Sequence, residues 1–264
     1  MHEKELAGVS LHGSSVFGRF DTSSDYGSAP KGTRELDFEQ DVFGAVRLLR
    51  RGQVALLVPF VETQRRAPGS SGFGGWIGDV NLSARWDFLF AGQSEVMPGI
   101  AVLAGVTFPT GRTPEAAKAE LAADATGIGA FQGNLGLALE QSYGPWLFNL
   151  SAIVSKRTSR TTQGVSSTLG AQWLALGALA YVFEGGASVA FVGAYTYEGH
   201  ATIDSVEDRN SGRRFLRTSL TGLIPLSDEM RALATLFVDP PISGLGRNTP
   251  TSTGLTFTWV YAWS

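Results

Sequence analysis

The sequence predicts an all-β protein: a closed transmembrane antiparallel up-and-down β-barrel of about 12 strands. Three observations lead to this prediction. Segments of about ten residues alternate apolar and polar side chains along most of the chain, as strands with one wet face and one oily face do. The connections between them alternate between short and long, which is typical of outer-membrane barrels. The last segment puts five large apolar or aromatic side chains on one face.

The composition agrees with a membrane barrel and excludes several other classes. The chain has 264 residues and a formal net charge of −3, which gives no electrostatic case for a nucleic-acid partner. Charged residues make up 17 %, below the usual quarter for soluble domains. The absence of cysteine excludes disulfides, thiolate metal sites and thiol catalysis. No apolar run reaches the length of about 18 residues that a transmembrane helix needs.

The first half of the chain contains six predicted strands. They are expected at about residues 8–22, 35–48, 54–63, 79–90, 96–108 and 127–141. In the fourth, DVNLSARWDFLF, polar residues at odd positions alternate with apolar and aromatic residues at even positions. Turn sequences such as RRGQ and SYGP end some strands abruptly. The long connection 109–126 contains PEAAKAELAA, whose composition suits a short helix.

The second half gives six more strands, at about residues 146–157, 169–183, 188–198, 213–224, 230–238 and 252–263. The turn EGG is very short, whereas the polar loops 199–212 and 239–251 are long. A soluble β-sandwich, which has the same alternation, has no reason to place all its long loops at one end. In lipid the barrel must close, because an open sheet edge leaves unpaired backbone groups at several kcal/mol each.

The last predicted strand carries the most specific signal. Its apolar parity consists of Leu255, Phe257, Trp259, Tyr261 and Trp263. In water such a face promotes aggregation, whereas in lipid its side chains act as anchors. The ending resembles the C-terminal signal by which outer-membrane barrels are recognised for insertion, although Ser264 follows the last aromatic residue. We therefore expect these five side chains to face lipid and the barrel-assembly machinery to be a partner.

The opposite parity of the strands carries charges of both signs. These side chains either line a polar conduit that selects solutes or pair across strands and plug a narrow barrel. Eight strands leave room only for side chains and sixteen leave an aqueous channel, so twelve strands allow both interpretations. The predicted lumen-lining residues are Glu35, Asp37, Glu39, Asp41, Arg47, Asp79, Asn81, Arg85, Asp87, Glu140, Arg157, Glu198, Arg217, Arg231 and Asp239.

The acidic row at residues 35–41 raises the question of a metal site. Spacing by two puts its four carboxylates on one face over about 20 Å, which is too far apart for a single ion. Pairing with arginines of a neighbouring strand is the favoured interpretation, and no metal site is predicted.

Catalysis and cofactor binding are not expected. Some barrels of this size are phospholipases with a lipid-facing Ser–His pair, and this chain offers only His2, His12 and His200. His200 lies in a loop near Asp204, where a histidine is expected to be solvated. The glycine-rich stretches at 72–78 and 127–129 do not predict nucleotide-binding loops, because no helix follows either one.

Several stretches resemble the MetA-pathway phenol-degradation family of outer-membrane transporters. They are Gly78-Asp79 followed by LSARW at 82–86, FPTG at 108–111, and the glycine-rich run 127–146 that ends in GPW. The resemblance covers mainly the middle third and implies a barrel proposed to move small hydrophobic, often aromatic, compounds. The motifs themselves have the chemistry of strands and turns rather than of a substrate site.

We expect residues 1–264 to form a single bacterial outer-membrane β-barrel domain with both termini in the periplasm. The start, MHEK, lacks a secretory signal, so we expect a mature form with an added initiator methionine. The expected function is passive uptake of small, hydrophobic or aromatic solutes by a channel in contact with outer-membrane lipid. The alternatives are a plugged structural or adhesive barrel, an outer-membrane lipid hydrolase, and a soluble β-sandwich.

Overall fold

The computed structural model describes residues 5–94, 96–162 and 164–263. Its strands, in chain order, are β1 (Glu5–Phe20), β2 (Tyr26–Ser28), β3 (Arg34–Arg47), β4 (Gly52–Ala67), β5 (Ser70–Ile77), β6 (Val80–Leu89), β7 (Gly99–Phe108), β8 (Gln132–Tyr143), β9 (Trp146–Arg157), β10 (Arg160–Thr162), β11 (Val165–Thr168), β12 (Gln172–Val182), β13 (Ser188–Glu198), β14 (Ala201–Ile203), β15 (Val206–Asp208), β16 (Arg213–Pro225), β17 (Met230–Val238) and β18 (Thr249–Trp263).

Twelve of these strands form the closed wall of an antiparallel barrel, which confirms the predicted fold. The wall follows the order β1, β3, β4, β6, β7, β8, β9, β12, β13, β16, β17 and β18, and each strand pairs with its neighbours. The barrel closes where β18 pairs with β1, in a register that runs from Glu5 opposite Trp263 to Phe20 opposite Thr249. Closure leaves the wall without a free edge, as a sheet in lipid requires.

The two ends of the barrel differ in their connections, as the sequence predicted. At one end, the short-turn end, the strands are joined by residues 48–51, 90–98, 144–145, 183–187 and 226–229. Glu5 and Trp263 lie at this same end. At the other end, the long-loop end, the connections are 21–33, 68–79, 109–131, 158–171, 199–212 and 239–248.

The outer surface of the wall is an apolar band. Large side chains in the middle of their strands are more than half exposed, including Leu150 at 56 %, Phe191 at 58 % and Leu236 at 59 %. Trp259 and its apolar neighbours on β18 lie on this outer face as well. Aromatic pairs lie at both margins of the band: Trp146 against Tyr181 at the short-turn end, and Phe108 against Phe131 at the long-loop end. Such a surface suits hydrocarbon and not water.

The long-loop end contains additional structure. Strands β10, β11, β14 and β15 form a separate four-stranded sheet, and β5 pairs with β4. The helix expected in the 109–126 connection is replaced by two single 3₁₀ turns, Pro114–Ala116 and Glu120–Ala122. Leu121 has a left-handed backbone with φ of 56°, which an α-helix does not accommodate. No helix among the described residues is long and apolar enough to cross a membrane.

Candidate functional site

The lumen contains a network of charges near the short-turn end, here called the short-turn cluster: Arg47, Arg85, Asp87, Glu140 and Asn149. Arg85 donates from Nη1 and Nη2 to the two carboxylate oxygens of Glu140, at 2.7 and 2.9 Å. Its Nε donates to Asp87 at 2.7 Å, and Arg47 lies 3.6 Å from the other oxygen of Asp87. Asn149 donates to Glu140 at 3.2 Å. The charges of the cluster therefore compensate one another.

Small residues on the intervening strand make this network possible. Arg85 on β6 reaches Glu140 on β8, so the ion pair passes over β7. On β7, Ala101 lies opposite Asp87 on one side and Ala138 on the other. Ala101 and Ala138 are only 1 % and 3 % exposed. Larger side chains at these two positions would occupy the space through which the arginine extends.

A second ion pair lies near the long-loop end of the same part of the wall. Arg157 on β9 donates to Glu198 on β13 at 2.6 Å, and also to Gln132 and Gln172 at 2.7 and 3.2 Å. The side chains of Arg157 and Glu198 are 6 % and 10 % exposed. Buried charges are stable only when they are paired and hydrogen-bonded, and this pair meets both conditions.

Between the two charged groups the wall encloses a cavity of about 450 Å³, here called the lumen recess. Arg85 borders it towards the short-turn end, and Gln132 and Gln172 border it towards the long-loop end. This volume is within the range of about 300–1,000 Å³ that is usual for small-molecule sites. Apart from Arg85, its lining is neutral and includes Gln53, Ala55, Asn81, Ser83, Leu103, Gly105, Asn134, Ile153, Ser155, Leu174 and Thr196.

The opposite part of the lumen wall carries aliphatic side chains among hydroxyl groups, such as the hydrogen-bonded pair Thr221 and Thr235. On β12, β13, β16, β17 and β18 the residues that alternate with the exposed outer ones point inward and are partly buried. Leu223 and Leu233 are direct cross-strand partners. We call the aliphatic side chains of this surface the apolar strip; its larger members are Leu176, Val192, Leu223, Leu233 and Val260. The lumen is therefore charged on one side, whereas on the other side aliphatic side chains alternate with hydroxyls, among them Thr235, Thr256 and Thr258.

The acidic row on β3 is only partly paired with arginine. Glu35 accepts from Arg65 on β4 at 3.0 Å, as the favoured interpretation expects. Asp37 accepts instead from the hydroxyl of Thr63 at 2.9 Å. For Glu39 and Asp41 the described residues provide no salt bridge, and one oxygen of Asp41 is buried without a partner. In the described part of the chain, no three His, Cys, Asp or Glu side chains are arranged to hold a metal ion.

Sequence reasoning did not identify an aromatic stack on the inner wall near the long-loop end. Phe237 is 6 % exposed and lies between His12, with ring centroids 5.1 Å apart, and the guanidinium of Arg217, 4.2 Å from its ring. Arg217 in turn donates to Asp239 at 2.7 and 3.0 Å. Glycine is needed at 254, because a Cβ there would collide with the ring of Phe237. The alternation of β17 could have indicated that Phe237 points inward, because it has the same parity as Arg231 and Leu233.

Two further predicted residues lie at or next to the start of β6, near the long-loop end. Asp79 accepts from the backbone N–H groups of Gly111 and Ile128, at 2.9 and 2.8 Å, so it anchors the 109–131 connection to the barrel. Asn81 donates to the hydroxyl of Thr107 at 2.9 Å and lines the lumen recess. Asp79 thus has a structural role that its inward parity alone did not indicate.

The 109–131 connection is held in place by a carboxylate of its own. Asp124 accepts from the backbone N–H groups of Ala119 and Lys118 and pairs with Arg112. These donors favour the charged form and lower the pKa of Asp124 to about 2, with the Ala119 N–H the strongest cause. Arg65 adds bonds from the barrel wall to two backbone carbonyls of the second 3₁₀ turn, at 3.1 and 2.9 Å. The connection is therefore an ordered part of the mouth.

Comparison with known proteins supports the fold. No family model and no curated protein matches the sequence. Among solved structures, the COG4313 outer membrane channel from Pseudomonas putida F1 is similar over 100 % of this chain and 96 % of its own, with a TM-score of 0.81 and 15 % identity. The transport unit of the autotransporter AIDA-I from Escherichia coli matches with a TM-score of 0.55 and 7 % identity, covering 99 % of this chain and 91 % of its own.

A third similar structure is the translocator domain of the autotransporter NalP from Neisseria meningitidis, with a TM-score of 0.52 and 11 % identity over 99 % of this chain and 88 % of that one. At these identities the similarity concerns the fold. The match to a channel agrees with the family resemblance found in the sequence. The chain therefore has the fold of a twelve-stranded outer-membrane β-barrel, which it shares over its whole length with a known channel.

Proposed function

We propose that the protein is an outer-membrane channel for passive uptake of small, uncharged, mainly apolar solutes, aromatic ones among them. The observation that carries this proposal is the two-sided lumen. Its apolar strip offers favourable contact to a hydrophobic solute, whereas the charges of the short-turn cluster on the other side are compensated internally. The neutral lumen recess gives such a solute a place to bind on the way.

The energetics favour uncharged solutes in this lumen. Each square ångström of apolar surface that a solute transfers from water to the apolar strip gains about 25 cal/mol. An ion in the same position loses hydration, and the arginines and carboxylates of the short-turn cluster are already paired with one another. A compact ring with one polar substituent matches the lumen recess, since its lining combines aliphatic side chains with amides and hydroxyls.

The location and assembly of the barrel form part of the proposal. The closed wall, the apolar band and the similarity to an outer-membrane channel support an outer-membrane location, with the short-turn end in the periplasm. We infer that the whole chain acts as one barrel domain. Trp259 and Tyr261 on the outer face of β18 would be available to the barrel-assembly machinery before insertion.

An uptake assay in intact cells tests the function. A Gram-negative host that expresses the barrel is compared with the same host without it, using a labelled monocyclic aromatic solute and a labelled sugar of similar size. We expect faster uptake of the aromatic solute only. Leu233→Asn should slow uptake, because it puts an amide into the apolar strip, whereas Leu233→Met should not. Equal uptake with and without the barrel, or equal acceleration of the sugar, would contradict the proposal.

The alternative functions receive less support from the structure. A plugged structural barrel predicts no acceleration of any solute in the same assay. A lipid hydrolase of the phospholipase kind needs its Ser–His pair on the lipid face. His12 instead faces the lumen, where it binds the hydroxyl of Thr256 at 2.8 Å and stacks on Phe237. The second four-stranded sheet at the long-loop end is compatible with a surface contact, but nothing in its structure indicates a partner.

A further inference from the structure

The short-turn cluster occupies a position where it can decide which solutes leave the lumen. Arg85 borders the lumen recess, and the rest of the cluster lies between the recess and the short-turn end. Arg47 comes from β3, Arg85 and Asp87 from β6, Glu140 from β8 and Asn149 from β9. The network therefore extends along about half of the wall at one level of the barrel, facing the apolar strip.

The hydrogen-bonding capacity of the cluster is largely used within it. The guanidinium of Arg85 makes three charged hydrogen bonds of 2.9 Å or less, two of them to one carboxylate. Bidentate arginine–carboxylate pairs are among the strongest and most rigid polar contacts in proteins. Asp87 is 3 % exposed and contacts two arginines. A passing ion would find few free partners here and would have to break existing ones.

We propose that Arg85, held by Glu140 and Asp87, is a specificity-determining residue that obstructs ions and hydrophilic solutes at the short-turn end. Uncharged apolar solutes pass it along the apolar strip on the opposite side. This inference rests on the proposed function, because it assigns a selecting element to the same lumen. Arg85 acts through its volume and its pairing rather than through a free charge.

The short-turn cluster differs from the charged ring of an ordinary ion channel. Unpaired charges of one sign attract counter-ions and promote conduction. Here the charges are matched, so the local field is weak while the long side chains fill space. Removing one arginine and one carboxylate together therefore leaves the net charge of the lumen unchanged and removes only the obstruction.

Conductance across planar lipid bilayers tests the inference on the purified full chain. The critical variant is the double substitution Arg85→Ala and Glu140→Ala. A matched control is Arg160→Ala with Glu115→Ala, which also removes one ion pair (2.9 Å) but at the long-loop end, away from the lumen recess. Heat-modifiable electrophoretic mobility verifies that each variant is a folded barrel. If the double variant does not fold, Glu140→Gln, which breaks the pair at nearly constant volume, replaces it.

We expect almost no ion current from the wild type and the control, and a severalfold larger mean conductance from the Arg85 and Glu140 double variant. With Glu140→Gln the increase in conductance should be smaller and the current should favour anions. The reason is that one positive charge of the cluster then has no negative partner. A wild type that conducts as freely as the double variant, or folded variants as silent as the wild type, would overturn the inference. The aromatic uptake assay on the wild type tests the proposed function separately, so either idea can fail alone.

Discussion

The orientation of the barrel wall can be tested with two leucines of the same strand. Leu150 and Leu147 both lie on β9 and are 56 % and 44 % exposed. Leu150 belongs to the outer face together with Phe148, whereas Leu147 pairs in register with Ser142 and Ala180 on the inner face. Replacing each by arginine makes the same chemical change on opposite sides of the wall. If the outer face meets lipid, only Leu150→Arg should be strongly destabilising.

The expected size of the effect follows from depth and exposure. Leu150 is four residues from Trp146 at the margin of the apolar band, about 13 Å along the strand. With the usual strand tilt this position is close to the middle of an apolar band about 25 Å tall. Arginine at the middle of the bilayer costs about 2–4 kcal/mol, and the half-exposed leucine that it replaces contributes about 1 kcal/mol of apolar transfer. We expect a loss of about 3–5 kcal/mol for Leu150→Arg and less than about 1 kcal/mol for Leu147→Arg.

Denaturant titration of folding into lipid vesicles, followed by tryptophan fluorescence, measures both free energies of unfolding. Lys156→Arg, on the same outer face but next to the long-loop end, serves as a control that keeps the charge. A cost below about 1 kcal/mol for Leu150→Arg would mean that the outer face does not lie in hydrocarbon. A larger cost for Leu147→Arg than for Leu150→Arg would mean that inside and outside are exchanged.

Three further predictions concern the lumen and the mouth. Glu198→Ala should destabilise the barrel by about 3–5 kcal/mol because it leaves Arg157 buried and unpaired, and adding Arg157→Ala should recover part of the loss in the same titration. Gly72→Ala should loosen the 109–131 connection without opening the barrel, seen as faster proteolysis of that connection alone, because a Cβ would collide with the backbone carbonyl of Glu120. Asp124 has a lowered pKa, so its stabilising contribution is complete above the ordinary value of 3.8 and is lost as the pH falls towards about 2. Proteolysis of the 109–131 connection should therefore accelerate as the pH falls through this window. Asp124→Asn should remove this pH dependence.

The strand pattern was predictable because a two-residue period has a direct physical cause. In DVNLSARWDFLF the polar positions 81, 83, 85 and 87 face the lumen and the aromatic positions 86 and 88 face outward. Strand number and the separation of short and long connections follow from the same alternation along the chain, whereas closure follows from the need of a sheet in lipid to have no free edge. Strand number and connection length depend on local residues, which the sequence shows directly.

The arrangement inside the lumen depends on which strands are neighbours in space and at what register. The pairing of Arg85 with Glu140 requires β6 and β8 to be separated only by β7, with a small residue at 101. The lumen recess arises from several strands together, so no single segment indicates it. The helix predicted in the 109–126 connection is absent because Asp124 accepts hydrogen bonds from the backbone N–H groups of Lys118 and Ala119 and holds the connection in a compact, non-helical path.

The pairing of β1 with β18 has a consequence for how the protein acquires its structure. These two strands contain the first and last described residues of the chain, and their ladder is the seam of the cylinder. A chain still being synthesised cannot form that seam, and the entropy lost in joining such distant segments is regained only when the whole circumference is in place. Until then both edges of the sheet expose unpaired backbone groups that can pair with other chains. The topology therefore requires a chaperone that shields these edges and a cooperative final step that closes the barrel.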